Sequence, residues 1–429
     1  MSPHPNPLLK ERALRQYIMK KLFFSFCLLL TANCQLVFAG GFQVNLQGQK
    51  QMGMGHTGTG LLLDGASLLF NPGATSFLDS IRLVQIGASF IIPRSVYLEP
   101  EGVYTTEMVH HVGTPFSVYA VGKIKKTSKL SLGLAVYTPF GSHEEWPSDW
   151  KGQFLLREIN LKAIFFQPTM SYKINDKLGI GAGFVFAEGD FSIIQGVPVQ
   201  DTLGNYGTAS LHGTANGYGY NAGIYFKPNE KFSVGLDYRS SVKIKMENGT
   251  ADFTVPSSLA EYFPSTSFSA TLTLPSTTTL GFGYVMNEKI KLALDVNYIG
   301  WGVYDTLSFD FADNTDKLHD IHSPRMYKNT FIVRAGAQYL FKENIFIRCG
   351  AYFDKTPVQD GYLTPETPDA NRIGLTAGAS WKINNKFNLD ISLLYIEGMK
   401  RTDTNIETQF SGTYKARAVA PGFAIEYLF

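Results

Sequence analysis

Residues of the types that do chemistry fall into a few groupings in this 429-residue chain. Gly53-Met54-Gly55-His56-Thr57-Gly58 has the spacing of a dinucleotide fingerprint, in which glycines let a pyrophosphate approach a helix N-terminus. That chemistry needs a strand before the motif and a helix after it, and this stretch instead follows closely on a segment that reads as an export signal. His319-Asp320-Ile321-His322, with Asp313 and Asp316 nearby, has the imidazoles and carboxylates to collect a cation, but the same residues suit a solvated external loop. The other histidines scatter, and no Ser/His/Asp constellation is evident, so no catalytic residue, metal or cofactor is assigned. Cys27 and Cys34 fall in the export segment, which leaves Cys349 alone and excludes an intramolecular disulfide or a thiolate cluster. A net charge of +2 gives no basic footprint for nucleic acid.

Two further groupings take their meaning from the elements that carry them. The first is apolar: Phe191, Ile193, Ile194 and Val197 in one irregular stretch, and Phe253, Val255, Leu259, Tyr262 and Phe263 in another. Such clusters facing the medium invite a hydrophobic ligand, or they pack on each other and stiffen the mouth of the fold. The second is charged: Asp237, Arg239, Asp295, Arg334, Arg348 and Asp390 share one parity on alternating segments and turn to one face. Facing opposite charges make a structural network. The functional reading is that Arg239, Arg334 or Arg348 meets a carboxylate head whose tail lies on apolar wall.

The carrying elements have period two. In KIKLALDVNY, Ile290, Leu292, Leu294, Val296 and Tyr298 alternate with Lys291, Asp295 and Asn297, and KLSLGLAV, FIVRAGAQYLF and KFNLDISLLY repeat the pattern. Tight polar turns at 125–129, 174–177, 227–231, 286–289, 341–344 and 383–386 alternate with longer stretches near 93–114, 140–156, 190–210, 248–268, 310–326, 354–371 and 399–411. Six turns and seven loops join fourteen antiparallel strands. With 14% aromatic residues, 41 glycines and only 17% charged residues, the expectation is an all-β, 14-stranded antiparallel transmembrane β-barrel in a Gram-negative outer membrane. Its short turns would be periplasmic and its long loops external, with Trp146 and Trp150 in the outer aromatic girdle. The last strand, FAIEYLF, ends on alternating aromatics with a terminal Phe429, the edge that would be offered to the barrel-assembly machinery.

Residues 1–39 divide into a leader (1–18) and a signal peptide, in which Met19-Lys20-Lys21 precedes an apolar run and Val37-Phe38-Ala39 marks cleavage. Fourteen strands enclose a lumen too wide for side chains to fill. Residues 40–79, rich in glycine, are of a size to occupy it as a hatch, bent at Asn71-Pro72-Gly73, before the barrel of 80–429.

The mature start GGFQVNLQGQKQMGMGHTGTG with FNPG resembles the hatch of the FadL-type outer-membrane transporters of long-chain fatty acids and other hydrophobic compounds; the family motif is Asn-Pro-Ala, and Gly73 departs from it. WKGQF, QPTMSYKINDKLGIGAGF, TLTLPSTTTLGFGY with Trp301, IRCGAYFDKTPV and PDANRIGLTAGASWKINNK resemble further family segments in the family's order. The resemblance implies a non-enzymatic, monomeric channel in outer-membrane lipid that passes hydrophobes by diffusion. It implies a capture groove at the two apolar stretches and a gap in the wall at an inward kink of the third strand, for which Gly133 and Pro139 are the available benders. A polar-solute porin and an outer-membrane lipid hydrolase are the alternatives.

Overall fold

The computed structural model describes residues 41–79 and 82–429, so the leader, the signal peptide and the cleavage point lie outside the described residues. The described residues form a closed barrel of fourteen antiparallel strands. The first seven are Arg82–Ser89 with Ile92–Leu98, Thr105–Glu107 with Phe116–Lys123, Leu130–Glu145, Glu158–Lys173, Leu178–Gln200, Tyr206–Phe226, and Phe232–Arg239 with Val242–Thr254. The other seven are Thr266–Leu274 with Thr277–Val285, Ile290–Ile299 with Thr306–Phe311, Ile321–Pro324 with Thr330–Lys342, Ile345–Asp354, Arg372–Lys382, Phe387–Gly398 with Arg401–Thr404, and Ser411–Leu428. Each pairs with its sequence neighbour, and the first closes on the last through Val84↔Tyr427 and Ile86↔Ile425. Ring closure gives every strand a partner on both sides over part of its length, the condition for a sheet in hydrocarbon, where an unsatisfied backbone group costs several kcal/mol.

Alternation places the chemistry. On the ninth strand Leu294, Val296 and Tyr298 are exposed, while Asp295 between them is buried. Arg334 on the tenth strand and Asp390 on the thirteenth are buried, and Leu393, Phe423 and Ile425 are exposed. Apolar outside and polar inside inverts the pattern of a water-soluble protein, and it suits a barrel whose outer face meets lipid.

Four of the tight turns share one device. Asn175, Asn229, Asn287 and Asn384 each accept, through Oδ1, the backbone N–H groups two and three residues on, at 2.8 to 3.0 Å. An asparagine side chain here stands in for the missing rung of the ladder. The stretch 190–210, read from the sequence as a long loop, is instead a hairpin: the fifth strand runs to Gln200 and the sixth starts at Tyr206. Asp201 closes it by accepting from Leu203 and Asn205 N–H, with Gly204 at φ +86°.

Candidate functional site

Residues 41–79 pack against strands from all round the ring. Gly58 and Thr59 N–H donate to Asp295 Oδ2 on the ninth strand at 2.9 and 3.0 Å. Asn71 Nδ2 donates to Ile224 O on the sixth at 3.0 Å, Gly55 N–H to Thr376 Oγ1 on the twelfth at 2.8 Å, and Gln167 Nε2 of the fourth to Leu68 O at 2.9 Å. Asn71 also accepts from Gly73 N–H at 3.0 Å and opens the 3₁₀ turn Pro72–Phe77. A Cβ on Gly73 would lie 2.8 Å from both Gly179 O and Gly223 O, so the backbone there leaves no room for the family's alanine. The dinucleotide-like glycines serve the same close approach: Gly55 sits at φ +71° beside Ala335 O and Ala351 O.

The inward charges divide into two groups. In one, Lys50 Nζ is 2.9 Å from Glu426 and 3.7 Å from both Asp64 and Asp390. Burial alone would lower the Lys50 pKa, but the surrounding Asp390, Asp64 and Glu426 raise it above the ordinary lysine value. Arg348 lies on this side, donating to Gln338 Oε1 at 2.8 Å and to Ser380 Oγ. Its needs are met by barrel residues, and it does not line the cavity described next.

Arg239 and Arg334 belong to the second group. They line a cavity of about 80 Å³ between residues 43–70 and the barrel wall, with Asp237, Asp295 and His56 as the other ionisable walls and Leu69, Phe70, Phe140, Phe165 and Ile299 among the apolar ones. Arg239 donates to Leu69 O and lies 3.4 Å from Asp237. Arg334 is 2% exposed, its Nε donates to Asn297 Oδ1 at 3.0 Å, and its Nη1 has no hydrogen-bond partner among the described residues. His56 is buried with Nε2 also unpartnered; burial first, then the Arg334 and Arg239 charges, holds it well below the usual histidine range.

Pro139 lines this cavity too. It sits within a register shift of the third strand, between Tyr137↔Phe165 and Phe140↔Ala163. There the N-terminal segment bonds to the third strand: Val44 N–H donates to Pro139 O at 2.9 Å, and Gln43 bridges Phe140. The ladder between the second and third strands has its last rung at Ser117↔Tyr137. Gly133 stays in register between Val121 and Thr169, and its lack of a side chain makes room for Leu68.

The two apolar stretches meet through residues that sequence reasoning missed. Phe191 lies 5.9 Å from Phe309, Phe268 bridges Phe309 and Phe311 at 5.6 and 6.3 Å, and Phe253 touches Phe311 at 6.4 Å and Phe263 at 5.8 Å. Ile193 and Val197 are buried on the fifth strand, while Ile194 has the opposite parity and faces the other way. Val255 packs on the cluster; Leu259 and Tyr262 are half-exposed on the 3₁₀ turn Ser257–Tyr262. Beside Phe191 a cavity of about 50 Å³ has almost wholly apolar walls, among them Leu161, Ile244, Met246, Leu272 and Phe309. The alternation Leu307, Phe309, Phe311 was the signal for the missing partners, obscured by reading 310–326 as a loop.

Trp146 and Trp150 are not in a lipid-facing girdle. Both are buried, stacked 4.7 Å apart, with indole N–H groups donating to Pro365 O at 3.3 Å and Leu156 O at 2.7 Å. Their N–H groups find loop carbonyls, so the pair forms a core beside the long loops with Tyr97, Phe410 and Tyr414. His319 and His322 are both exposed, and Asp313 accepts from Thr266 Oγ1 at 2.9 Å.

The family described as outer membrane protein transport protein (OMPP1/FadL/TodX) matches residues 30–429. A long-chain fatty acid transport protein of Salmonella typhi is 23% identical over 414 residues, 88% of this chain and 92% of that one. Outer membrane protein P1 of Haemophilus influenzae is 22% identical over 421 residues, 86% and 90% of the two chains. The crystal structure of a Pseudomonas aeruginosa FadL homologue superposes with a TM-score of 0.80 at 17% identity, covering 91% of this chain and 100% of that one. The P. putida toluene transporter TodX gives 0.70 at 15% identity, over 91% and 99%. This chain, an outer-membrane β-barrel, belongs to the OMPP1/FadL/TodX family of outer membrane transport proteins.

Proposed function

We propose that the barrel is a monomeric channel for diffusion-driven uptake of hydrophobic molecules, long-chain fatty acids first among them. The short Asn turns face the periplasm, the long loops face the medium, and residues 41–79 form a hatch within the lumen. The aromatic cluster of Phe191, Phe253, Phe263, Phe309 and Phe311 takes the apolar ligand from the medium. The polar end of a fatty acid then meets Arg334, and the tail lies against Leu69, Phe70, Phe140 and Phe165. Release follows past Pro139, where the ladder between the second and third strands is incomplete.

One observation carries this reading. Arg334 Nη1 is buried without a protein partner in a cavity half lined by apolar side chains. Leaving a charged donor unpaired costs more than an ordinary lost hydrogen bond, and a bound carboxylate would supply the missing acceptor. A polar-solute channel has no use for the apolar walls, and hydrolysis would need a nucleophile joined to a base, whereas His56 Nε2 makes no hydrogen bond to a hydroxyl among the described residues.

The test compares oleate with its methyl ester. Arg334→Gln removes a charge-assisted bond worth about 1.5–3 kcal/mol, so oleate affinity should fall roughly tenfold to a hundredfold while ester uptake holds. Equal losses for acid and ester would remove the head-group role from Arg334.

A further inference from the structure

Beyond the last rung between the second and third strands, the third strand runs on to Glu145, still paired with the fourth as far as Glu145↔Glu158. The chain between the two segments of the second strand is tied to it there by Val109 N–H, which donates to Glu145 O at 2.7 Å. Metal-ligating side chains gather on that tie. His143 and Glu145, two residues apart on one strand, project from the same face, and His111 comes from the chain opposite.

One ligand atom from each of His111, His143 and Glu145 lies within 4.8 Å of the other two. The imidazoles stack with centroids 4.0 Å apart and planes 20° from parallel. His111 Nε2 is 2.5 Å from Glu145 Oε2, and His143 Nε2 is 3.2 Å from Glu158 Oε1. All four side chains are half-buried, within reach of ions in the medium but partly screened from it.

We propose that His111, His143 and Glu145 bind a divalent transition-metal ion of the Zn²⁺ class, and that Glu158 orients the His143 ring. Two imidazoles and a carboxylate are a known donor set for three-ligand zinc, with water in the fourth position. Imidazole donors favour such ions over Mg²⁺ or Ca²⁺, which take oxygen ligands. Bonds of about 2.1 Å set tetrahedral ligand atoms about 3.4 Å apart, so side-chain rotation is enough to close the present spread. The carboxylates of Glu145 and Glu158 face two imidazoles and, among the described residues, no Lys or Arg ion-pair partner, whereas neighbouring Glu107 is already paired with Arg94. A cation therefore brings charge balance as well as coordination. It also joins residue 111 to the third strand where the backbone ladder is missing, so it acts as a clasp across the seam.

The experiment uses the untagged, chelator-treated barrel in detergent and titrates it with Zn²⁺ alone by calorimetry. Cu²⁺ electron paramagnetic resonance counts nitrogen ligands, and hydrogen exchange follows residues 108–115. The expected result is one saturable equivalent, a two-nitrogen Cu²⁺ spectrum and slower exchange in 108–115 with Zn²⁺. His143→Ala should weaken binding roughly tenfold or more, and His322→Ala on the external side should leave it unchanged. Absence of saturable Zn²⁺ binding by the unmutated barrel overturns the site, as does binding that His143→Ala leaves intact.

Discussion

Arg334 and Arg348 look alike in the sequence, one on each of two adjacent strands and both turned inward by parity. Their neighbours separate them: Gln338 and Ser380 accept from Arg348, whereas Arg334 keeps a free Nη1 in a cavity. His56 shares that cavity, and it carries a pH consequence. Its pKa is held below the ordinary 6.5 in the docked segment, so it is neutral there. An undocked segment would take up a proton as pH falls through about 6.5, and docking therefore loses free energy on acidification and keeps it above that pH. The protection of residues 50–60 against hydrogen exchange, taken relative to the intrinsic rate at each pH, should therefore fall between about pH 6.5 and pH 5. His56→Asn, which tolerates the φ of +61° found there, should abolish that acid step. An acid step of the same size in the variant would assign it to other groups.

Among the elements, the hairpins were the most legible. An asparagine two residues before a lysine, between alternating segments, specifies a turn through its own side chain, and four turns use it. Loop and strand were harder to separate beyond the membrane, because the ladder continues wherever backbone partners exist, whatever the side chains. Phe253 and Phe263 were thus found, while Phe268, Phe309 and Phe311 were not, although they complete the same cluster. Replacing Phe253, Leu259 and Phe263 together by Ser exposes no backbone bond, so the barrel should still close. Each large apolar side chain contributes roughly 1.5–3 kcal/mol at full burial against a ligand, and less in a groove. The triple variant should therefore bind oleate at least tenfold more weakly, about 1.4 kcal/mol, with acid and ester affected alike. Unchanged oleate uptake at limiting ligand by a folded triple variant would make the cluster packing only.

At the scale of the whole molecule, a ring of fourteen strands and an N-terminal segment share the interior polar groups. Lys50 answers Glu426, Asp64 and Asp390, and two backbone amides answer Asp295. Deleting residues 42–77 removes these partners but no rung between strands, and water entering a widened lumen can solvate the carboxylates left behind. The deleted barrel should remain closed and conduct small ions with higher, less selective conductance in planar bilayers. A folded deletion variant with the conductance of the full chain would place the segment outside the lumen.

Period-two alternation, turn asparagines and the terminal aromatic strand determined the strand number, the pairing order and which charges turn inward, because each is a local rule read within a few residues. Gly73 and Pro139 could be singled out as special in the same way. What those positions contact was decided only by closure of the ring, which brings residues hundreds of positions apart to bonding distance, as with Lys50 and Glu426 at 2.9 Å. The division of the arginines into a satisfied Arg348 and an unpartnered Arg334, the burial of Trp146 and Trp150, and the meeting of His111 with His143 are likewise tertiary facts. Each depends on side chains from separate strands competing for the same space and the same hydrogen-bond partners, and no local pattern records the outcome of that competition.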